Sequence, residues 1–148
     1  MGIGLIERRG HKFQLLYAET IKAPASWDLY RRLEVISEKL IKRIDELDPQ
    51  VVAIEDTFFA KNARSAFRLG IARGVAVAAC LGRGIKIYEY APTQVKSVVT
   101  GYGRAGKDQV HKMVGLTLGT AIEIDFDASD ALAVAICHGH HGEREILR

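Results

Sequence analysis

The feature that most restricts the fold is an apolar stripe followed at once by a change of period. Leu29, Leu33, Ile36, Leu40, Ile44 and Leu47 recur at intervals of three and four. That spacing lines one face of an amphipathic helix, which Pro24 and Ser26 introduce. Asp48-Pro49 stops it, and Val51-Val-Ala-Ile-Glu55 follows, short, branched and apolar, which reads as a buried strand. A helix handed directly to such a strand predicts an α/β layer fold.

The remaining segments extend the alternation. Ile3 to Ile6 and Phe13 to Ala18 read as short strands about a turn at Arg9-Gly10-His11, and Ile85 to Tyr90 as another strand. Helices are predicted over 61–80, over Thr93 to Val99 behind Pro92, over Asp108 to Leu118, and from near Asp127 through Ile136. A frayed tail is expected from Gly139. The chain of 148 residues suits one domain, 1–148. No apolar run approaches the roughly 20 residues that span a bilayer. The N-terminus lacks the apolar core of a secretory leader, and two cysteines are too few for a disulfide scaffold. A soluble cytoplasmic protein with no membrane partner is the expectation.

Charge is unevenly distributed. Residues 61–112 carry ten Lys/Arg against Glu89 and Asp108, a net +8, whereas residues 113–148 sum to −4. A basic middle third is either a solvated face or a surface for a polyanion, whose condensed counterions it would release. Charge alone leaves both readings open.

The candidate chemistry lies in three acids. Glu55 ends an otherwise apolar strand, and a charge there is tolerable at the exposed carboxyl end, where open α/β sheets place ligands. Asp127 and Asp130 lie three apart at the start of a helix, so both project to one side of its first turn. Asp127 has the competing role of helix cap and Asp130 that of a first-turn acid on the dipole. Two such acids and Glu55 would suit a hard divalent cation, and with the basic middle third they suggest metal-assisted phosphodiester hydrolysis. Gly101-Tyr-Gly103-Arg-Ala-Gly106 matches G-x-G-x-x-G, but a helix precedes it. The dinucleotide motif follows a strand, so a mobile basic loop carrying Arg104 and Lys107 to a phosphate backbone is the better reading. Cys137, His138, His140 and His141 have no second ligand cluster at zinc spacing, and the tail histidines read as merely solvent-exposed. Gly70 and Gly74 allow close approach on one helix face, either to the protein's own sheet or to a second copy.

These residues also carry a resemblance. Ala53-Ile-Glu-Asp-Thr-Phe-Phe-Ala-Lys-Asn-Ala-Arg-Ser-Ala-Phe-Arg-Leu-Gly-Ile-Ala-Arg-Gly-Val75 resembles the signature of the RuvC family of Holliday junction endonucleases. Tyr90-Ala-Pro-Thr-Gln-Val-Lys96, the 101–107 loop and Asp127-Ala-Ser-Asp-Ala-Leu-Ala-Val-Ala-Ile136 follow in the family's order. The resemblance implies an RNase H-like fold, a central mixed sheet flanked by helices, and a homodimer. It implies Mg²⁺-dependent symmetric nicking of four-way junction DNA in recombination and repair, with two ions for which Mn²⁺ can substitute, alongside the RuvA and RuvB branch-migration proteins. Glu55, Asp127 and Asp130 are similar to the family's metal-binding acids, and Lys96 and Lys107 to basic residues near the scissile phosphate. Phe58 matches an aromatic that stacks at the junction centre, and Lys61, Asn62, Arg64 and Arg104 complete the expected DNA-contacting set. The Gly70–Gly74 helix matches the dimer seam.

One departure matters. The family opens with a strand I-x-G-I-D-P-G-S whose aspartate is a fourth metal ligand and which lies at the centre of the sheet; Met1-Gly-Ile-Gly-Leu-Ile-Glu resembles the strand after it. Neither Asp28 nor Asp45 can replace that aspartate, since both belong to the long helix or its end. The expectations that follow are a longer functional protein, a shortened paralogue that binds junctions without cutting, or a related RNase H-like nuclease acting on another branched or RNA-containing substrate. Without the strand, Val51–Glu55 is expected to expose apolar edge surface.

Overall fold

The computed structural model describes residues 1–56, 62–119 and 124–145. They form β1 (Gly2–Arg9), β2 (Lys12–Thr20), α1 (Leu29–Leu47), β3 (Val51–Glu55), α2 (Ala63–Leu81), β4 (Lys86–Tyr90), α3 (Pro92–Thr100), α4 (Lys107–Leu118) and α5 (Phe126–Glu145). Among the described residues no helix is long and apolar enough to cross a membrane. The chain divides into two compact units.

The first unit comprises residues 1–20, 53–56 and 88–148. Strands β1 and β2 pair antiparallel, with a register shift between Leu5 and Ile6. Each is longer than its apolar pattern suggested, because ladder bonds continue through polar ends such as Arg8 opposite Phe13 and Gly2 opposite Thr20. Helix α5 forms the core, with Leu132 and Cys137 wholly removed from solvent and packed with Phe13, Val95 and Val114. The expectation of a frayed tail after Gly139 is corrected: α5 runs on to Glu145. Gly139 is held in it because Phe13 fills the space a side chain there would need, and Arg8 donates to its carbonyl at 2.8 Å.

The second unit comprises residues 21–52 and 57–87. Helix α1 begins three residues later than Ser26, because Asp28 is the cap and accepts from the backbone N–H groups of Tyr30 and Arg31. Leu33, Leu40 and Ile44 are the buried members of its stripe. Asp48, in the left-handed region at φ 44°, ends the helix. Arg83 grips Asp45 through Nε and Nη2, a two-pronged pair that holds the Asp45 carboxyl below its usual range.

The described strands form two pairs, β1–β2 and β3–β4. Strand β3, expected to be buried, is corrected to half-buried, with Val51 exposed. The reason is that no described strand has neighbours on both edges.

Candidate active site

All the acids and lysines that the sequence singled out for chemistry lie in the first unit. Strand β3 delivers Glu55 at its carboxyl end, where pairing continues through Asp56 N–H to the Tyr90 carbonyl at 2.8 Å. Helix α5 delivers Asp127 and Asp130, both solvent-exposed. The capping role offered for Asp127 is corrected, since Asp125 performs it: its Oδ1 accepts from Asp127 N–H at 3.3 Å and its carbonyl from Ser129 N–H at 2.9 Å. The Asp-Phe-Asp run at 125–127 contained that signal, because an acid two residues ahead of another is the better placed cap. Asp127 keeps its carboxylate for other work.

What seats this helix turn is the absence of side chains on β1. A Cβ on Gly2 would run into the Asp127 carbonyl, and one on Gly4 would stand 2.6 Å from Leu132 Cδ2 and 3.1 Å from its backbone nitrogen. Gly2 and Gly4 share one face of the strand, and that face is where α5 rests. Neither glycine is legible as functional from sequence alone.

The electrostatics tie four groups together. Withdrawal from water, then repulsion from Asp130, push the Glu55 carboxyl above its usual range, while the Lys96 ammonium pulls the other way. Lys107 Nζ lies 3.3 Å from Asp130 Oδ2 and 5.1 Å from the centre of the Phe126 ring, against which the His111 ring packs at a tilt, 4.7 Å from centre to centre. Glu55 and Asp130 therefore repel one another between two lysines. Two mutually repelling carboxylates supply hard oxygen donors that favour a cation. Among the described residues no three acid, histidine or cysteine side chains converge as a complete metal-holding group.

Other expected residues fall elsewhere. Asn62 and Arg64 belong to the second unit, where both are exposed and the Asn62 side-chain Oδ1 caps α2 by accepting from Ser65 N–H at 2.9 Å. Phe58 and Lys61 lie outside the described residues. Asp28 and Asp45 are spent on a helix cap and on Arg83.

Two readings of the sequence are corrected here. The 101–107 loop, expected to be mobile, is pinned. Gly101 N–H donates to the Ser97 carbonyl at 2.9 Å, Thr100 Oγ1 donates to the Lys96 carbonyl at 2.9 Å and accepts from Tyr102 N–H at 3.1 Å, and Ala105 is buried. His138 and His141, expected to be solvated, are packed, whereas His140 is exposed as expected. His138 Nδ1 shares a hydrogen bond with Tyr90 Oη at 2.8 Å, and His141 bonds the Cys137 carbonyl at 2.8 Å and Gln94 at 3.0 Å. Burial pushes the Cys137 thiol up to about 11, so it stays protonated.

His140 gives a modest pH prediction. Partial withdrawal of its ring from water, then Arg8 and His141, hold its pKa below the usual value, while its ring edges onto Phe13. The unfolded chain takes that proton near pH ~6.5 and the folded chain only at lower pH. Stability is therefore full above about pH 6.5 and declines as pH falls toward the depressed pKa. His140→Asn should flatten this decline in melts taken from pH 7.5 to 5; an unaltered profile would assign the proton elsewhere.

Residues 1–138 match the family described as "Crossover junction endodeoxyribonuclease RuvC". The chain is 44% identical over 137 residues to the RuvC of Trichlorobacter lovleyi, covering 93% of this chain and 77% of that one. It is 46% identical over 140 residues to the RuvC of Ruminiclostridium cellulolyticum, covering 94% and 84%. Among solved structures, it superposes on Thermus thermophilus RuvC in complex with Holliday junction substrate with a TM-score of 0.89 and 29% identity, covering 97% of this chain and 88% of that one.

Proposed function

The chain belongs to the RuvC family of crossover junction endodeoxyribonucleases, and from that premise we propose that it resolves four-way DNA junctions by symmetric metal-dependent nicking. The observation that carries this reading is the coupling of Glu55 with Asp130 between Lys96 and Lys107. The whole chain acts as one nuclease domain, since the family match runs through both compact units.

Glu55, Asp127 and Asp130 would hold Mg²⁺, two ions in the full site with Mn²⁺ as substitute, and the ions would lower the pKa of an attacking water and neutralise charge on the leaving 3′ oxygen. The chain's own part is positional. Asp125 frees Asp127 from capping, and Gly2 and Gly4 let the first turn of α5 seat against β1. Lys96 and Lys107 flank the acids, attract the strand's phosphate and stabilise negative charge as it develops. Phe58, Lys61, Asn62, Arg64 and Arg104 are further DNA-contacting residues. The test is cleavage of a synthetic mobile four-way junction with Mg²⁺, beside binding of the same junction in EDTA. Paired nicks on opposite strands support the reading. A chain that binds junctions equally in EDTA and never cuts them is instead a junction-binding protein, a second reading favoured by the incomplete convergence of donors among the described residues.

Lys96→Ala and Lys107→Ala should each lower the slope of log affinity against log salt by about 0.9 for every phosphate that the lysine neutralises. An unchanged slope would show that the substituted lysine does not touch the DNA backbone.

The protein acts as a homodimer in the cytoplasm and takes junctions from the RuvA and RuvB branch-migration proteins. Support for the dimer comes from α2. Phe67 is 66% exposed, and nothing lies within 4 Å of where a Cβ would stand on Gly70 or Gly74. These residues fall at i, i+3 and i+7, one face of the helix. Gly74→Arg should convert the dimer to a monomer by light scattering, with melting temperature little changed. A Gly74→Arg chain that remains dimeric places the seam elsewhere.

A further inference from the structure

We propose that Tyr102 is a DNA-contacting residue whose ring stacks on a nucleobase of the strand being cut, next to the scissile phosphate. The proposal rests on the junction-cleaving function above and adds a contact that the phosphate-binding lysines do not supply. Tyr102 is 57% exposed, although it sits in a loop whose backbone is fixed from both sides.

The two glycines flanking it serve that fixation. Gly101 adopts φ 78°, the left-handed conformation that closes α3. Gly103 has no room for a side chain, since a Cβ there would stand 2.8 Å from Ser97 Oγ and 3.2 Å from the Thr93 carbonyl. The Tyr102 carbonyl accepts from Ala105 N–H at 3.0 Å, and Ala105 is 2% exposed. A glycine-rich loop built this way pushes one aromatic ring outward from a rigid base. A ring presented on ordered backbone loses little conformational entropy on binding, so most of its contact energy appears as affinity.

The surroundings identify the occupant. Thr100 joins the Tyr102 N–H to the carbonyl of Lys96, whose ammonium acts on Glu55. On the other side of Tyr102, the chain reaches Lys107, which pairs with Asp130. Tyr102 is thus tethered between the two lysines that attend the acids. No acid occurs from Ala91 to Lys107, while Lys96, Arg104 and Lys107 are all basic. An exposed aromatic among cations, in a stretch without acids of its own, suits a strand that offers a π-face beside each negative phosphate. Arg104 and Lys107 would hold the backbone while the ring covers a base.

The experiment uses the whole chain and a four-way junction carrying 2-aminopurine at each nucleotide within two steps of the cut, with Ca²⁺ in place of Mg²⁺. Binding should quench one of these probes, and Tyr102→Ala should abolish the quench and weaken binding roughly tenfold to a hundredfold. Tyr102→Phe should keep both, because the hydroxyl is not required. Tyr102→Ala should leave the salt slope unchanged, whereas Arg104→Ala should reduce it, which separates stacking from charge. Tyr102→Trp should bind as the parent does and lose indole emission when the junction is added, a readout that needs no truncated side chain. Equal affinity and equal quench for Tyr102→Ala overturn the proposal, as does a Tyr102→Phe chain that fails like Tyr102→Ala. A parent chain that binds no junction overturns the proposed function along with it, whereas a parent that binds with an unquenched probe overturns the stacking contact alone.

Discussion

Glu55→Gln is expected to lower junction cleavage by at least about three orders of magnitude, on the order of 4 kcal/mol of transition-state stabilisation, while junction affinity holds or rises. The side chains are nearly the same size, and Glu55 is an exposed residue at the end of its strand, so the fold has little reason to notice the change. What changes is charge. Asp130 repels Glu55 and Lys96 attracts it; an amide at this position removes both effects together with an anionic donor for a hard cation. DNA binding moves in the opposite direction, because the amide removes a negative charge from a surface that meets phosphates. Single-turnover cleavage and a binding titration in Ca²⁺ separate the two effects. If Glu55→Gln cuts within tenfold of the parent, Glu55 is no ligand, and the acids of α5 carry whatever chemistry there is. If affinity falls in step with cutting, Glu55 acts through the fold or the DNA contact.

The site is legible in sequence wherever one residue type has one physical use. A glutamate closing an apolar strand must lie at an exposed end, and two aspartates three apart on a helix must share a side. Both deductions follow from short-range geometry, and all three acids are exposed in the structure. Glycine misleads for the opposite reason: its lack of a side chain serves two opposed purposes. In the 101–107 loop it suggests mobility, yet Gly103 is there because backbone and Ser97 occupy the space of a Cβ. In β1, Gly2 and Gly4 carry no signal at all, although they decide how closely α5 approaches. The packing of His138 is illegible because its partner lies far away in sequence: Tyr90 and His138 are 48 residues apart. Asp125 is legible in principle. It is obscured because Asp127 offers both a cap and a ligand, and one carboxylate seldom serves as both.

The second large effect should follow from a residue with no chemistry of its own. Gly4→Val is expected to lower the melting temperature by roughly 5–10 °C and to cut cleavage by about a hundredfold. A Cβ at this position meets Leu132, which is wholly buried in the centre of α5. The contact has two parts. Leu132 Cγ and Cδ2 would lie 2.7 and 2.6 Å away, and its backbone nitrogen 3.1 Å away. The side-chain part can be relieved by a rotamer change, at the expense of packing among Val95, Val114 and Ile136; the backbone part is relieved only if α5 moves off β1. Asp130 is two residues from Leu132 and Asp127 five, so a displaced helix carries both acids with it, and an offset of about 1 Å is enough for a hundredfold loss. Leu132→Ala in the Gly4→Val chain tests this division. It removes the side-chain clash and leaves the backbone contact, so it should restore part of the lost stability and little of the cleavage. Lys96 and Lys107 lie on other helices, so junction affinity should survive in both chains. A Gly4→Val protein that melts and cuts like the parent would show that β1 does not set the position of α5, and that the acids are held by the core of the helix alone.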